Sequence, residues 1–238
     1  MDYSPEAWAV NEDSSWPGKL YTVADVIIQT TVNRSFAEIS SFLSLASEMK
    51  AKPLNVFVAL LRGVNVGGNN MISMKALKES FTGMGFVGVT SYINSGNIIF
   101  KTKEADARKL EKKVEQMLVK EYELDSRVVI RSLAEMEQLV ESLPLNWNSD
   151  STWRYNVIFL RHTIDSEEIL TDVPIKENIE EVFYRPGTLL WSAQVDELNR
   201  TNMLKLASRK LYQDMTIRNT NTTRKLCELM KKAAESDS

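Results

Sequence analysis

The chain has 238 residues, is 43% hydrophobic and 26% charged, and carries a formal net charge of -3, which suits one large or two small globular domains with a real core and excludes a nucleic-acid binder driven by bulk charge. One cysteine, Cys227, and one histidine, His162, exclude an intrachain disulfide framework and a Cys/His zinc site, so neither metal nor cofactor is expected. No apolar run approaches the ~18 residues of a membrane span and no leader pattern opens the chain, so a soluble cytoplasmic protein is expected.

Residues 1–52 differ from the rest. Met1 to Glu48 hold seven acidic residues against two basic ones, Lys19 and Arg34, leaving 27 basic and 25 acidic residues in the remainder. "KLYTVADVIIQ" reads as a strand and "SFAEISSFLSLASEM" as a short amphipathic helix. The segment is expected to be a weakly packed N-terminal extension, with Met49 as an alternative start.

From Asn55 the pattern is regular. "NVFVALL" is apolar on both faces, as in a central strand covered on both sides. "SMKALKESFTGM" spaces Met74, Leu77, Phe81 and Met84 as a helix, with Ser73 as N-cap and Gly85 as stop. "VTSYI" and "NIIFKT" flank the hairpin signal "NSG". "DARKLEKKVEQMLVKEY" places Leu110, Val114, Met117, Leu118 and Tyr122 on one helical face, and its charged residues read as a solvated surface. "RVVIR" is a strand, and "SLAEMEQLVESL" is a helix opened by the capping box Ser132–Glu135.

The second half repeats the order. "RYNVIFLR", a short helix from "DSEEIL", strands "EEVFYR" and "LLWSAQV" joined at Pro186-Gly187, a helix in "NMLKLASRKLY", the strand "MTIRN" and the helix "NTTRKLCELMKKAAE" follow one another. "VVIRS" before "LAEMEQLV" rhymes with "MTIRN" before "TTRKLCELM". An α+β fold of two duplicated ferredoxin-like, split βαβ halves is expected, each with an added helix, over 53–145 and 146–238, with Leu143–Thr152 as linker. In such a unit the exit of the first strand and the hairpin between the second and third lie at one end. The Gly63–Asn70 stretch and Asn94–Asn97 are therefore expected to be neighbours.

"ALLRGVNVGGNNMISMKALKESFTGMGF", "SYINSGNIIF" and "TIRNTNTTRKL" together resemble the bacterial family called domain of unknown function 1697. Three motifs in order over about residues 54–232 carry the resemblance. It implies the duplicated ferredoxin-like fold and brings no activity, substrate or catalytic residue. Thr220 departs from it, since many members carry a tryptophan there.

The polar stretches are the candidate sites. In "GVNVGGNN", Gly63 and Gly68 have Walker A spacing, but Asn69 and Asn70 stand where lysine and a hydroxyl are needed, so NTP hydrolysis is not expected. Arg62, Asn65, Gly67, Gly68 and Asn69 can still cradle a small anion, or simply build a turn. Asn94, Ser95 and Asn97 are hairpin residues that the topology brings beside them. Arg218, Asn219, Asn221 and Arg224 suit an anion at a helix start, or helix capping, and Arg200 joins them from a neighbouring loop. His162 at a strand end reads as a surface residue before a catalytic base, and Cys227 as a core thiol. No RNP1 pattern supports RNA binding. The leading expectation is binding of a small anionic ligand, a nucleotide or phosphorylated metabolite. The alternative is a protein-interaction module, and an uncharacterised enzyme comes third.

Overall fold

Strand β1, Asn55–Leu61, is buried on both faces and lies at the centre of its sheet. The computed structural model describes residues 54–65, 71–147, 149–173, 175–203, 206 and 209–236, all within one unit, Pro53–Ser238. The strand and helix expected before Met49 lie outside the described residues, as do Gly67, Gly68 and Asn69.

Helix α1, Met74–Gly83, follows β1, and then come β2, Val87–Ser91, and β3, Asn97–Thr102. Helix α2, Ala107–Tyr122, leads to β4, Val128–Ser132, and α3, Leu133–Ser142. The second set is β5, Trp153–Leu160; β6, Glu180–Arg185; β7, Thr188–Gln194; β8, Met215–Asn219; and α4, Thr220–Glu235. The sheets run β2-β3-β1-β4 and β6-β7-β5-β8, with every neighbouring pair antiparallel. The protein is thus an α+β structure with two four-stranded antiparallel sheets. Among the described residues no helix is long and apolar enough to cross a membrane.

Period-two alternation builds the layers. Phe57, Ala59 and Leu61 of β1 face α1 and α2, meeting Leu77, Phe81, Val114 and Leu118. Val56, Val58 and Leu60 face the other way, into a core shared with Met136 and Leu139 of α3, Leu226 and Met230 of α4, and Val157 and Phe159 of β5. Helices α3 and α4 therefore lie between the sheets. The outer face of the second sheet, with Ile158, Leu160 and Trp191, is covered by Ile169, Val173 and Leu206.

Two local expectations change. The helix expected from "DSEEIL" is a short 3-10 turn, Glu167–Thr171, because Pro174 follows within three residues and cannot continue it. The Leu143–Thr152 stretch is docked: Leu143 and Trp147 are buried in the shared core, and the Trp147 ring sits 5.1 Å from that of Tyr155. The capping box on α3 forms as expected, and Asn219 caps α4 by accepting from the Thr222 N–H at 2.7 Å.

Gly96 closes the β2–β3 hairpin against the end of β1. Its φ is +70°, and a Cβ there would stand 2.8 Å from the Leu61 Cβ and 3.3 Å from the Val64 Cβ. Gly96→Ala should lower stability by about 1–3 kcal/mol through strain and overpacking. Gly83→Ala, with no heavy atom within 4 Å of its new Cβ, should change stability by less than about 0.5 kcal/mol or raise it. Urea denaturation compares the two; equal losses would contradict the packing described.

Candidate functional site

The β1 exit and the β2–β3 hairpin meet at one sheet end. The Leu61 N–H donates to the Gly96 carbonyl at 2.8 Å. The Asn65 side chain, on a backbone with φ 54°, donates to the carbonyls of Ile72 and Asn94 and accepts from the Ile72 N–H. Its amide is thereby spent on holding the loop to the hairpin. Asn97 is fully buried and donates to the Tyr92 carbonyl and the Ser95 hydroxyl.

Arg218 of β8 enters this cluster from the other sheet. Its Nε–H donates to Asn97 Oδ1 at 2.5 Å, Nη1 to Thr216 Oγ1 and the Ile217 carbonyl, and Nη2 to the carbonyls of Leu61 and Ser95. A guanidinium has five N–H donors, and these bonds use all of them. Burial lowers its pKa to about 10, so it stays charged at neutral pH. Asn65, Asn94, Ser95, Asn97 and Arg218 thus form one bonded cluster with no guanidinium N–H left for an anion. Asn219, Asn221 and Arg224 stand on the start of α4, where Asn219 is occupied as a cap. Arg62 lies 5.0 Å over the Tyr212 ring, and Arg200 turns to Glu197.

The second sheet repeats the arrangement with two differences, one of them Val129 of β4 where β8 has Thr216. The Leu160 N–H donates to the Gly187 carbonyl at 2.9 Å, closing β5 against the β6–β7 hairpin. Arg131 of β4 crosses over in turn: its Nη2 donates to the carbonyls of Leu160 and Gly187, and its Nη1 to the Ile130 carbonyl. At the start of β7, where β3 has Asn97, stands Thr188. Among the described residues nothing accepts from the Arg131 Nε–H, and the buried Thr188 Oγ1 has no hydrogen-bond partner. The exchange that is complete at Arg218 is incomplete at Arg131.

A cleft of about 370 Å³ opens on this spot. It is lined by Arg108 and Glu111 of α2, Ile130 and Arg131 of β4, Glu135 and Gln138 of α3, His162 and Asp165 after β5, and the hairpin Arg185–Thr188. Arg108 and Arg185 are exposed, whereas Glu111 and Thr188 are each 2% exposed. Arg108 and Arg185 are therefore at the mouth, and Glu111 and Thr188 at depth.

Glu111 is the deep ionisable group. Its Oε1 accepts from the Ile130 N–H at 3.2 Å. Its Oε2 has Arg161 Nη2 at 3.7 Å and His162 Nδ1 at 3.5 Å, yet no hydrogen bond. Arg161 bonds Glu115 through Nη1, and its Nε, 3.8 Å from Asp214, is itself buried without a hydrogen-bond partner. Burial pushes the Glu111 carboxyl above the ordinary glutamate range, against the pull of the Ile130 N–H and the nearby cations Arg161 and Arg131. Burial likewise lowers the Arg131 pKa, while Glu135, Glu111 and Asp165 oppose that shift. Such a site can bind and orient a small polar molecule. Cys227 is buried in the core and its thiol pKa is raised by burial, which suits packing and not nucleophilic attack. Among the described residues no group of three or more His, Cys, Asp or Glu side chains is placed to hold a metal.

Sequence reasoning passed over Glu111, Arg131 and Thr188. Glu111 looked like one of many charges on α2. The signal was its spacing: Glu111, Val114 and Leu118 follow one another at helical intervals, which puts a carboxylate in the apolar stripe.

The sequence profile of the family described as "Protein of unknown function (DUF1697)" matches residues 54–191. A similar solved structure is that of conserved bacterial protein SP0830 from Streptococcus pneumoniae, 28% identical, with a TM-score of 0.66, covering 74% of this chain and 99% of that one. No curated protein matches the chain.

Because burial raises the Glu111 pKa in the folded state, the stability linked to this group is complete below its unfolded pKa and is lost as pH rises through the raised folded value. Glu111→Gln keeps an acceptor for Ile130 and removes that loss. Calorimetry from about pH 4 to pH 8 should show the mutant's Tm gaining on the wild type as pH rises. A constant or shrinking difference would contradict the burial argument.

Proposed function

We propose that this chain, which belongs to the DUF1697 family of proteins of unknown function, binds a small anionic ligand, a nucleotide or phosphorylated metabolite, in the cleft between α2, β4, α3 and the β6–β7 hairpin. The observation that carries this reading is the convergence of Arg108, Arg131 and Arg185 with His162 on one cavity. Guanidinium groups recognise phosphate and carboxylate through paired hydrogen bonds. Arg131 supports it further, being held by only three bonds to its own chain. The cavity sits where two sheets and a hairpin meet, a common place for small-molecule sites.

We read the two sheets as copies of one ferredoxin-like unit, over 53–145 and 146–238. The shared strand order and the reciprocal contacts of Arg131 and Arg218 support the duplication. On that reading the ligand site lies in the copy whose arginine lacks counterparts of Asn97 and Thr216. The cluster around Asn65 and Asn97 then serves as the joint, and the cleft around Arg131 serves the ligand.

Titration calorimetry with inorganic phosphate tests the site. Saturable binding is expected, weakened about tenfold by Arg185→Ala or Arg108→Ala, each of which removes charge-assisted hydrogen bonds from the mouth. Both residues are exposed, so the variants should fold. Binding that is absent, or indifferent to both substitutions, would contradict the assignment.

A further inference from the structure

The cleft is graded from mouth to floor. Its cations Arg108 and Arg185 are exposed, while two buried residues that also line it, Glu111 and Thr188, carry a carboxylate oxygen, Oε2, and a hydroxyl, Oγ1, without a hydrogen-bond partner. Buried polar groups are almost always satisfied, and an orphan asks for an explanation. An inorganic anion can accept from the Thr188 hydroxyl, but placed at depth it brings its own negative charge against the acceptor oxygen Glu111 Oε2. A hydroxyl is both donor and acceptor. It can donate to Glu111 Oε2 while a second one exchanges a hydrogen bond with Thr188. Among the described residues lining the cleft, the side chains are guanidinium, carboxylate, amide, hydroxyl, imidazole and aliphatic groups. The carboxylate, amide and hydroxyl groups match sugar hydroxyls, and among the described lining residues no Phe, Tyr or Trp offers a nucleobase a stacking ring, which leaves His162 and the arginines as the planar groups there. A volume of about 370 Å³ lies at the small end of ligand cavities, which run about 300–1,000 Å³.

We propose that the ligand is a phosphate monoester of a polyol, bound with its hydroxyl-bearing end against Glu111 and Thr188 and its phosphate among Arg108, Arg131 and Arg185. This rests on the cleft being the anion site proposed above, and it selects a sugar phosphate over a nucleotide. Phosphate at the mouth keeps most of its hydration and meets the flexible arginines. Hydroxyls at the floor complete a hydrogen-bond set that Arg161 and His162 approach without closing.

Calorimetric titration of the full chain with ribose 5-phosphate, ribose, adenosine 5′-monophosphate and inorganic phosphate decides it, using wild type, Glu111→Gln and Thr188→Val, each checked for folding by circular dichroism. Ribose 5-phosphate is expected to bind at least about tenfold more tightly than phosphate and than the nucleotide, the worth of one or two hydrogen bonds to a charged or buried group. Each substitution is expected to collapse most of the ratio between ribose 5-phosphate and phosphate. Thr188→Val keeps the side-chain shape and stands in if Glu111→Gln fails to fold. Equal affinities for ribose 5-phosphate and phosphate would overturn the inference and leave the anion site standing. So would a ratio that survives in every folded variant, or a preference for the nucleotide. Wild type that binds neither phosphate nor ribose 5-phosphate would remove the site itself.

Discussion

A buried guanidinium surrounded by neutral acceptors fixes how the two sheets meet. Arg218 belongs to β8, yet three of its five hydrogen bonds end on the β1 exit and the β2–β3 hairpin. Withdrawing an arginine from water is costly, and no carboxylate hydrogen-bonds to this one. The cost is bearable because every N–H finds an oxygen, among them the strand-end carbonyl of Leu61 and the hairpin carbonyl of Ser95. The arrangement tolerates little slippage, since moving either sheet leaves a charge and several carbonyls unpaired. The apolar layer of α3 and α4 supplies the area of contact between the sheets; the arginine supplies the register.

Arg131 makes the reciprocal crossing with less to bond to. Two side-chain differences separate the two situations: Asn97 at the first residue of β3 against Thr188 in β7, and Thr216 two residues before Arg218 against Val129 two residues before Arg131. An asparagine reaches a guanidinium Nε; a threonine, one bond shorter in its polar reach, does not. The β6–β7 hairpin also stands off from α2, and the space between them collects Glu111, His162 and the outer arginines. A structural joint and a candidate binding site are thus two versions of one arrangement, and polar saturation decides which is which.

Much of the fold was legible in the sequence. β1 announced itself by an apolar run bounded by Arg62 and Gly63, and α3 by a reciprocal capping box. The nearness of the Gly63 loop and the "NSGN" hairpin followed from antiparallel pairing alone, and Asn65 bonds to Asn94 as that geometry requires. The rhyme between "VVIRS" and "MTIRN" even placed Arg131 and Arg218 at matching positions. The destination of each arginine was not legible, because it depends on packing between sheets that no local pattern encodes. The most conspicuous polar residues, Asn65, Asn97 and Arg218, turned out to be bonded to their own chain. Two of the buried groups with unspent hydrogen-bonding capacity, Glu111 and Thr188, sat inconspicuously in a charged helix and an ordinary strand.

The most direct measurement is the arginine Nε–H region of a proton–nitrogen correlation spectrum, assigned with Arg131→Lys and Arg218→Lys and recorded while phosphate is added. The account predicts a slowly exchanging Arg218 signal that phosphate leaves in place, and an Arg131 signal that exchanges faster and moves as phosphate binds. A moving Arg218 signal beside an indifferent Arg131 signal would contradict it.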